Sequence, residues 1–465
     1  MSQPMSRRMM LQTGACGFGM LALTDLLSRV YGAEQAPPPP ATGDAPAESH
    51  HYESPLKVKA PHFPARAKRV IFLFMQGAPS HVDTFDYKPA LAAADGKSVG
   101  GRKILGPQWK FKQYGKSGLY ISDLFPAVAQ HADDLCLINS MNCDQPAHPQ
   151  ATIQLHTGSS RFVRPSMGSW VVYGLGTQNQ NLPGFITINP PAAVGGAQNY
   201  GSSFLPAAYE GTPISGQAQG MPNIAPAVAS SLQRKQIDLV QSMNRDMLRR
   251  SGGENPQIEG IIESFELGFR MQSTVPDVMD IGRESKKTLA MYGIGDDDTD
   301  TFGRQCLMAR RFAEAGVRFI EIAHTGWDQH TALHAKHTAN AKAVDRPIAG
   351  LLADLKQRKM LDDTLVVWGG EFGRTPTAQN RDGRDHNNRG YTMWLAGGGV
   401  KGGIRHGATD EIGARAETDK VHVHDLHATL LHLLGLDHER LTYRYAGRDF
   451  RLTETFGNVV KQIMT

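Results

Sequence analysis

Carboxylates and imidazoles gather in a few short loops of this 465-residue sequence. Ser80, His81, Asp83 and Asp86 follow Gln76-Gly77. Asp144 and His148 share a second loop. Asp328 and His330 close the run Gly326-Trp-Asp-Gln-His330, with His334 and His337 soon after. Glu371 and Arg374 stand in Gly370-Glu-Phe-Gly-Arg-Thr-Pro376, and His386 ends Gly383-Arg-Asp-His386. Mixed carboxylate and imidazole sets hold divalent cations. A cation so held brings the pKa of a bound water to ~7 and clamps attacking and leaving oxygens. A lone Asp-x-His is more often a solvated turn. Asp328, His330, Glu371 and His386 rise above that reading because each falls on a strand-end loop of one expected sheet. Asp83 and Asp86 read equally well as turn caps.

Those loops follow or precede runs of β-formers. The runs are Arg69 to Met75, Leu135 to Met141, Phe185 to Asn189, Gly316 to Ala323, Thr364 to Trp368 and Tyr391 to Ala396. Apolar side chains on both alternating faces predict strands covered on both sides, as in a parallel sheet. Helical periodicity predicts helices over 228–250, 257–272, 302–315, 335–358 and 424–434, the last with Asp425 as a cap-like start. Strands alternating with helices predict an α/β fold with helices on both faces of the sheet. Ligands then bind on the loops at the carboxyl ends of the strands. The stretch 195–300 reads as a helix-rich insertion that flanks the sheet. His334 and His337 read as an exposed helix face, and His422, His424 and His427 as structural.

Composition narrows the partners. Hydrophobic residues are 40% and charged residues 20%, which fits a globular chain with a core. The net charge of +4 gives no large field, so no nucleic acid and no anionic membrane surface is expected as main partner. The 49 glycines and 27 prolines predict long loops. Of the four cysteines, Cys16 falls in the leader described next. Cys136 and Cys143 can pair, but Cys136 lies in an apolar run, which favours a buried free thiol.

Arg7-Arg8 precede a weakly apolar stretch from Thr13 to Leu27. This is the twin-arginine export pattern, with a signal peptide over 1–36; an amphipathic N-terminal helix is the alternative. The apolar part is too short for stable membrane insertion, which needs ~20 apolar residues. The expected location is periplasmic or extracellular. Pro37 to Pro40 open a Pro/Ala-rich linker over 37–67, and the folded domain is expected over 68–465.

The run Val70 to Pro89, the Gly326 to His330 turn, Gly370 to Pro376 and Gly383 to His386, in this order, resemble the exported domain of unknown function 1501 family. The resemblance spans about Lys68 to Thr453. That family is similar to the sulfatases and the wider alkaline phosphatase superfamily. The resemblance implies a three-layer α/β sandwich with a mainly parallel central sheet, alkaline phosphatase/sulfatase-like, plus the helix-rich insertion. It implies Asp328 and His330 as a mid-chain metal pair, and His386 as a late metal histidine. Glu371-Phe372 sits where the superfamily has Asp-His. His148 stands nine residues before Thr157-Gly158, the nucleophile position of sulfatases.

Three departures bear on activity. Gln76-Gly77 replaces the metal-binding Asp expected after the first strand, the nucleophile position lacks Ser, Thr or Cys, and Phe372 cannot ligate a metal. The expected metal set is Asp328, His330, Glu371 and His386, with Asp83 or His148 as a further ligand, holding zinc, calcium or manganese. His148 is the expected nucleophile or general acid, and Arg374 either binds an anionic ester group or closes a loop by an ion pair. The expected function is hydrolysis of sulfate or phosphate esters, on a small-molecule or glycan substrate. The alternative is a non-catalytic exported binding or surface module, and a third reading makes 195–300 a contact for protein partners.

Overall fold

Arg69–Met75 reads RVIFLFM, and every residue after Arg69 is buried. Such a strand must be covered on both faces, and it lies at the middle of the sheet. The computed structural model describes residues 54–215, 221, 224–226, 228–252 and 255–465. The expected signal peptide, and the expected linker as far as residue 53, lie outside the described residues.

The strands that matter here are β1 (Arg69–Met75), β2 (Leu135–Asn142), β3 (Phe185–Ile188), β4 (Thr212–Ile214), β5 (Phe319–His324), β6 (Thr364–Gly369), β7 (Gly373–Gln379), β8 (Gly383–Asn387), β9 (Tyr391–Ala396), β10 (Ile404–His406) and β11 (Val421–His422). The main helices are α1 (His148–Thr157), α2 (Met167–Leu175), α3 (Ser230–Arg250), α4 (Pro256–Met279), α5 (Asp300–Glu314), α6 (Leu333–Gln357) and α7 (Val423–Leu433). The main sheet runs β10-β2-β9-β6-β1-β5-β3-β4, and β11 also pairs with β2. Only β9 runs against the rest. β6 rises to the carboxyl edge, the β7–β8 hairpin sits there, and β9 descends. The reversed strand therefore lifts a hairpin onto the edge where ligands bind.

Side chains sort the layers. Phe72 and Phe74 of β1 pack on His156 of α1, and His156 lies 3.3 Å from Glu321 of β5. His427 of α7 bonds the Leu155 carbonyl, so α1 and α7 share this face. Phe302 of α5 meets His324 on the other face, and α6 packs on α5. The result is a mainly parallel α/β sandwich of three layers, as expected.

Boundaries moved where local geometry overrode pattern. The strand expected from Gly316 begins at Phe319, because Gly316 is a turn residue with φ +95° after α5. The helix expected over 257–272 continues to Met279, with Pro276 inside it. Residues 54–67, read as linker, pack on the domain. Leu56 and Ala67 are buried, and the Lys59 and His62 amides donate to Leu175 and Gly435 carbonyls, both at 2.9 Å. The stretch 195–300 supplies β4, a parallel edge strand, besides α3 and α4. Gln241 of α3 donates to the Ile262 carbonyl of α4 at 2.7 Å. Cys136, Cys143 and Cys306 are buried free thiols.

Candidate metal centre

Four loops meet at the carboxyl edge. His148 is the first residue of α1, followed by Pro149 at a position where a missing amide hydrogen costs nothing. Asp328 and His330 lie between β5 and α6, and His386 lies on β8. Gly77, after β1, has φ +102°, and a Cβ there would lie 2.5 Å from the Asp328 nitrogen. Glycine therefore lets the end of β1 lie against the Asp328 loop. This accounts for Gln76-Gly77 where an acidic ligand was expected.

Asp328 Oδ1 is the hub. His330 Nε2 lies 2.9 Å from it, His148 Nε2 3.1 Å and His386 Nε2 3.3 Å. His330 Nε2 and His386 Nε2 are 2.9 Å apart. One donor atom from each of these four residues lies within 4.8 Å of every other. The opposite ring nitrogens all turn away onto oxygen acceptors. His148 Nδ1 donates to Glu371 Oε1 at 2.5 Å and His386 Nδ1 to the Pro146 carbonyl at 2.6 Å. His330 Nδ1 donates to Gln379 Oε1. Metal-ligating histidines are oriented by such partners.

Burial disfavours charge on His148, but the carboxylates of Asp328 and Glu371 outweigh it and push its pKa up to about 9. Burial works the other way on Asp328, yet His148, His386 and Arg374 hold its carboxyl far below the usual range. The centre therefore attracts positive charge. His148 Nε2 is buried, and its angle to Asp328 makes no regular hydrogen bond.

These distances test the fit of a cation. Zinc bonds nitrogen and oxygen at ~2.0–2.1 Å, and tetrahedral ligands then stand ~3.3 Å apart. The separations of 2.9 to 3.3 Å lie within a few tenths of an ångström of that. With the remaining separations no more than 4.8 Å, these four residues could hold one small divalent cation.

Three expected ligands or binders have other surroundings. Glu371 is fully buried behind His148, and both its oxygens accept the Gly77 amide, at 3.0 and 3.2 Å. It holds His148 instead of joining the hub. Asp83 is spent on a buried ion pair with Arg384 at 2.7 Å, and it also accepts from Ser80 and Gln108. Arg374 is fully buried, with Nη2 2.7 Å from Asp328 Oδ1. Its nitrogens also donate to the carbonyls of Ala78, Arg384, Trp327 and Gly77. It offers nothing to an anionic ester and takes the loop-closing role. His148 joins the donors, the ligand role expected of it as one alternative beside nucleophile or general acid.

Other histidines divide differently from expectation. His337 is fully buried and accepts the Ser80 amide at 2.9 Å, so it is not on an exposed face. His334 stacks on Trp109, centroids 4.9 Å apart. His424 donates to the Gly158 carbonyl just after α1 and His427 to the Leu155 carbonyl within it, both at 2.7 Å, as structural residues do. Gln379 and the Pro146 carbonyl escaped sequence reasoning, since neither type signals a metal site. The nearest signal was their placement, Pro146 two residues before His148 and Gln379 in the hairpin that carries His386.

Among solved structures, the chain is similar to the lipoteichoic acid synthase LtaP from Listeria monocytogenes, at 9% identity over 86% of this chain and 78% of that one, with TM-score 0.36. It is similar to the PsFucS1 sulfatase from Pseudoalteromonas sp., at 13% identity over 80% and 69%, TM-score 0.35. It is similar to a mutant of TAB5 alkaline phosphatase, at 11% identity over 80% and 99%, TM-score 0.33. No curated protein sequence matches it. One family does match, over residues 67–464, and the chain belongs to it: the family described as protein of unknown function, DUF1501.

Proposed function

We propose that this protein is an exported hydrolase of phosphate or sulfate esters that works with one divalent cation held by His148, Asp328, His330 and His386. One observation carries the reading: three imidazole Nε2 atoms converge on one carboxylate oxygen while every Nδ1 is anchored to an oxygen acceptor behind it. Three imidazoles favour zinc or a similar transition metal over calcium, which takes oxygen ligands. Bound there, the cation would supply a water nucleophile at neutral pH and polarise the ester.

The residues have separate tasks. Glu371 keeps the proton on His148 Nδ1, so Nε2 faces the centre. Arg374 keeps Asp328 ionised. Asp328 and His330 keep 44% and 32% of their side chains exposed, which leaves an open side for substrate. The Cys143 thiol is pushed up to about 12 by burial and donates to the Glu371 carbonyl at 3.3 Å, so it is no nucleophile. Among the described residues no helix is long and apolar enough to cross a membrane. The Arg7-Arg8 leader supports export in folded form.

A second reading, a binding module without chemistry, is favoured by one observation: Arg374 turns inward and leaves an anionic ester without that guanidinium. Elemental analysis of the mature chain and of His386→Ala, followed by aryl phosphate and aryl sulfate assays with and without chelator, tests both. Close to one equivalent of metal, lost in His386→Ala, together with chelator-sensitive turnover, supports the hydrolase. Metal without turnover on any ester supports the binding module. A well-folded protein that takes up no metal refutes both as centred on these four donors.

A further inference from the structure

We propose that the cleft at the carboxyl ends of β3 and β5 binds a small neutral polyhydroxyl group of the kind a sugar ring presents. The cleft holds about 220 Å³ and is lined by Gln305, His324, Phe302, Asn189, Thr325 and Asp298, among others. At ~30 Å³ per water, that is room for about seven waters, the bulk of one ring and not of an oligomer.

Gln305 points to a ligand. It lies on α5, is only 3% exposed and lines the cleft. Its side-chain amide takes no hydrogen bond from the described residues and is not among the fully enclosed unpaired groups, so it is open to the cleft it lines. Buried amides are ordinarily paired. This one keeps an acceptor and two donors for whatever enters.

His324 is the second group. Its Nδ1 accepts the Trp327 indole N–H at 3.1 Å, so its own proton sits on Nε2. Burial lowers its pKa to about 4, which keeps the ring neutral. Lys342 is taken by Asp298 at 2.6 Å, and the Asp298 carboxylate lines the same cleft. An anion would meet that carboxylate and a neutral imidazole, so a neutral ligand is favoured. Hydroxyl groups both donate and accept. They complement the Gln305 amide, the His324 N–H and the Asp298 carboxylate together. Phe302, 3% exposed, supplies an apolar surface for a C–H face.

The cleft adjoins the metal centre. Trp327 bonds His324 on one side, and its carbonyl accepts from Arg374, which holds Asp328, on the other. A ring seated here lies beside the strand-end loop that carries Asp328 and His330, two of the four donors. Its assignment as the alcohol part of an ester substrate rests on the hydrolase reading; the binding itself does not.

Saturation-transfer NMR on the purified mature chain tests this, with methyl glycosides of glucose, galactose and fucose as probes and sodium phosphate as the competing anion. At least one glycoside is expected to receive saturation. Gln305→Leu should weaken its binding about tenfold or more. Ala343→Trp, which narrows the cleft from α6 without touching a polar group, should abolish it. His386→Ala, which strips the metal centre, should bind the glycoside as wild type does. That arm keeps a failure of the hydrolase reading apart from a failure of this one. No transfer to any glycoside, unchanged binding in both cleft variants, or displacement of the glycoside by phosphate would each overturn the proposal.

Discussion

Asp83→Asn separates a carboxylate that holds the fold from one that holds a cation. Asp83 and Arg384 are both fully buried and 2.7 Å apart. Asp83 also accepts the Ser80 hydroxyl at 2.5 Å and the Gln108 amide at 2.8 Å. Burial alone would raise its carboxyl, but Arg384 more than offsets this and lowers it. The amide of asparagine keeps the shape and removes the charge. The Arg384 guanidinium then faces only neutral acceptors, the carbonyls of Thr375 and Gly106. Unpairing a buried charge costs about 3–5 kcal/mol. Unfolding entropy of ~2.1 cal/mol/K per residue over roughly 400 residues is about 0.85 kcal/mol/K, so Tm should fall by about 4–6 °C. Calorimetry measures this, and elemental analysis of the same sample should find the metal undiminished. Asp328→Asn should lose the metal, and it should also lower Tm because it leaves the buried Arg374 guanidinium facing only neutral carbonyls. Replacing the pair together, by Asp83→Leu with Arg384→Met, should recover part of the lost stability, because no charge is left unpaired. Metal lost from Asp83→Asn at an unchanged Tm would refute the division of roles.

Three further outcomes follow from the geometry. Gln379→Ala removes the acceptor behind His330 and should weaken zinc binding about 10–100-fold in a competition titration, the usual effect of losing an orienting partner. Below pH 6.5 stability should fall. Burial holds His337 and His427 neutral down to about 3, whereas an unfolded chain protonates both near 6.5. The unfolded state then binds more protons, and each ring costs up to about 1.4 kcal/mol per pH unit, so denaturant titrations between pH 6.5 and 4 should lose up to about 2.7 kcal/mol per unit. Flat stability across that window would contradict the buried placement of both rings. Cys136 and Cys143 are pushed up to about 12 by burial, and Cys306 well above its ordinary value. A thiol reagent at pH 8 should therefore label none of the three before unfolding; labelling at the native rate of a free thiol would refute this.

The sheet was legible because its strands are covered on both faces. β1 and β9 match their apolar runs to the residue, and the loops that carry the ligands follow from those ends. What stayed hidden was depth. Asp83, Asp328 and Glu371 are one chemical type at one edge of one sheet, and nothing in their spacing ranks them. The fold does. Asp83 and Glu371 are fully enclosed, and an enclosed carboxylate must be satisfied on the spot. Asp83 takes Arg384, and Glu371 takes His148 and the Gly77 amide. Asp328 alone of the three keeps much of its side chain open, and the histidines turn their Nε2 atoms toward it. The register of the β7–β8 hairpin decides the rest. It sets Arg374 opposite His386, so the guanidinium reaches Asp328 from inside while the imidazole reaches it from the rim. Long-range pairings of this kind join residues almost 50 to more than 200 positions apart. They depend on which face of a hairpin meets which loop. A carboxylate at a strand end therefore predicts a metal ligand only when it stays open to the rim, as Asp328 does even with Arg374 behind it, and that condition is met or broken by packing.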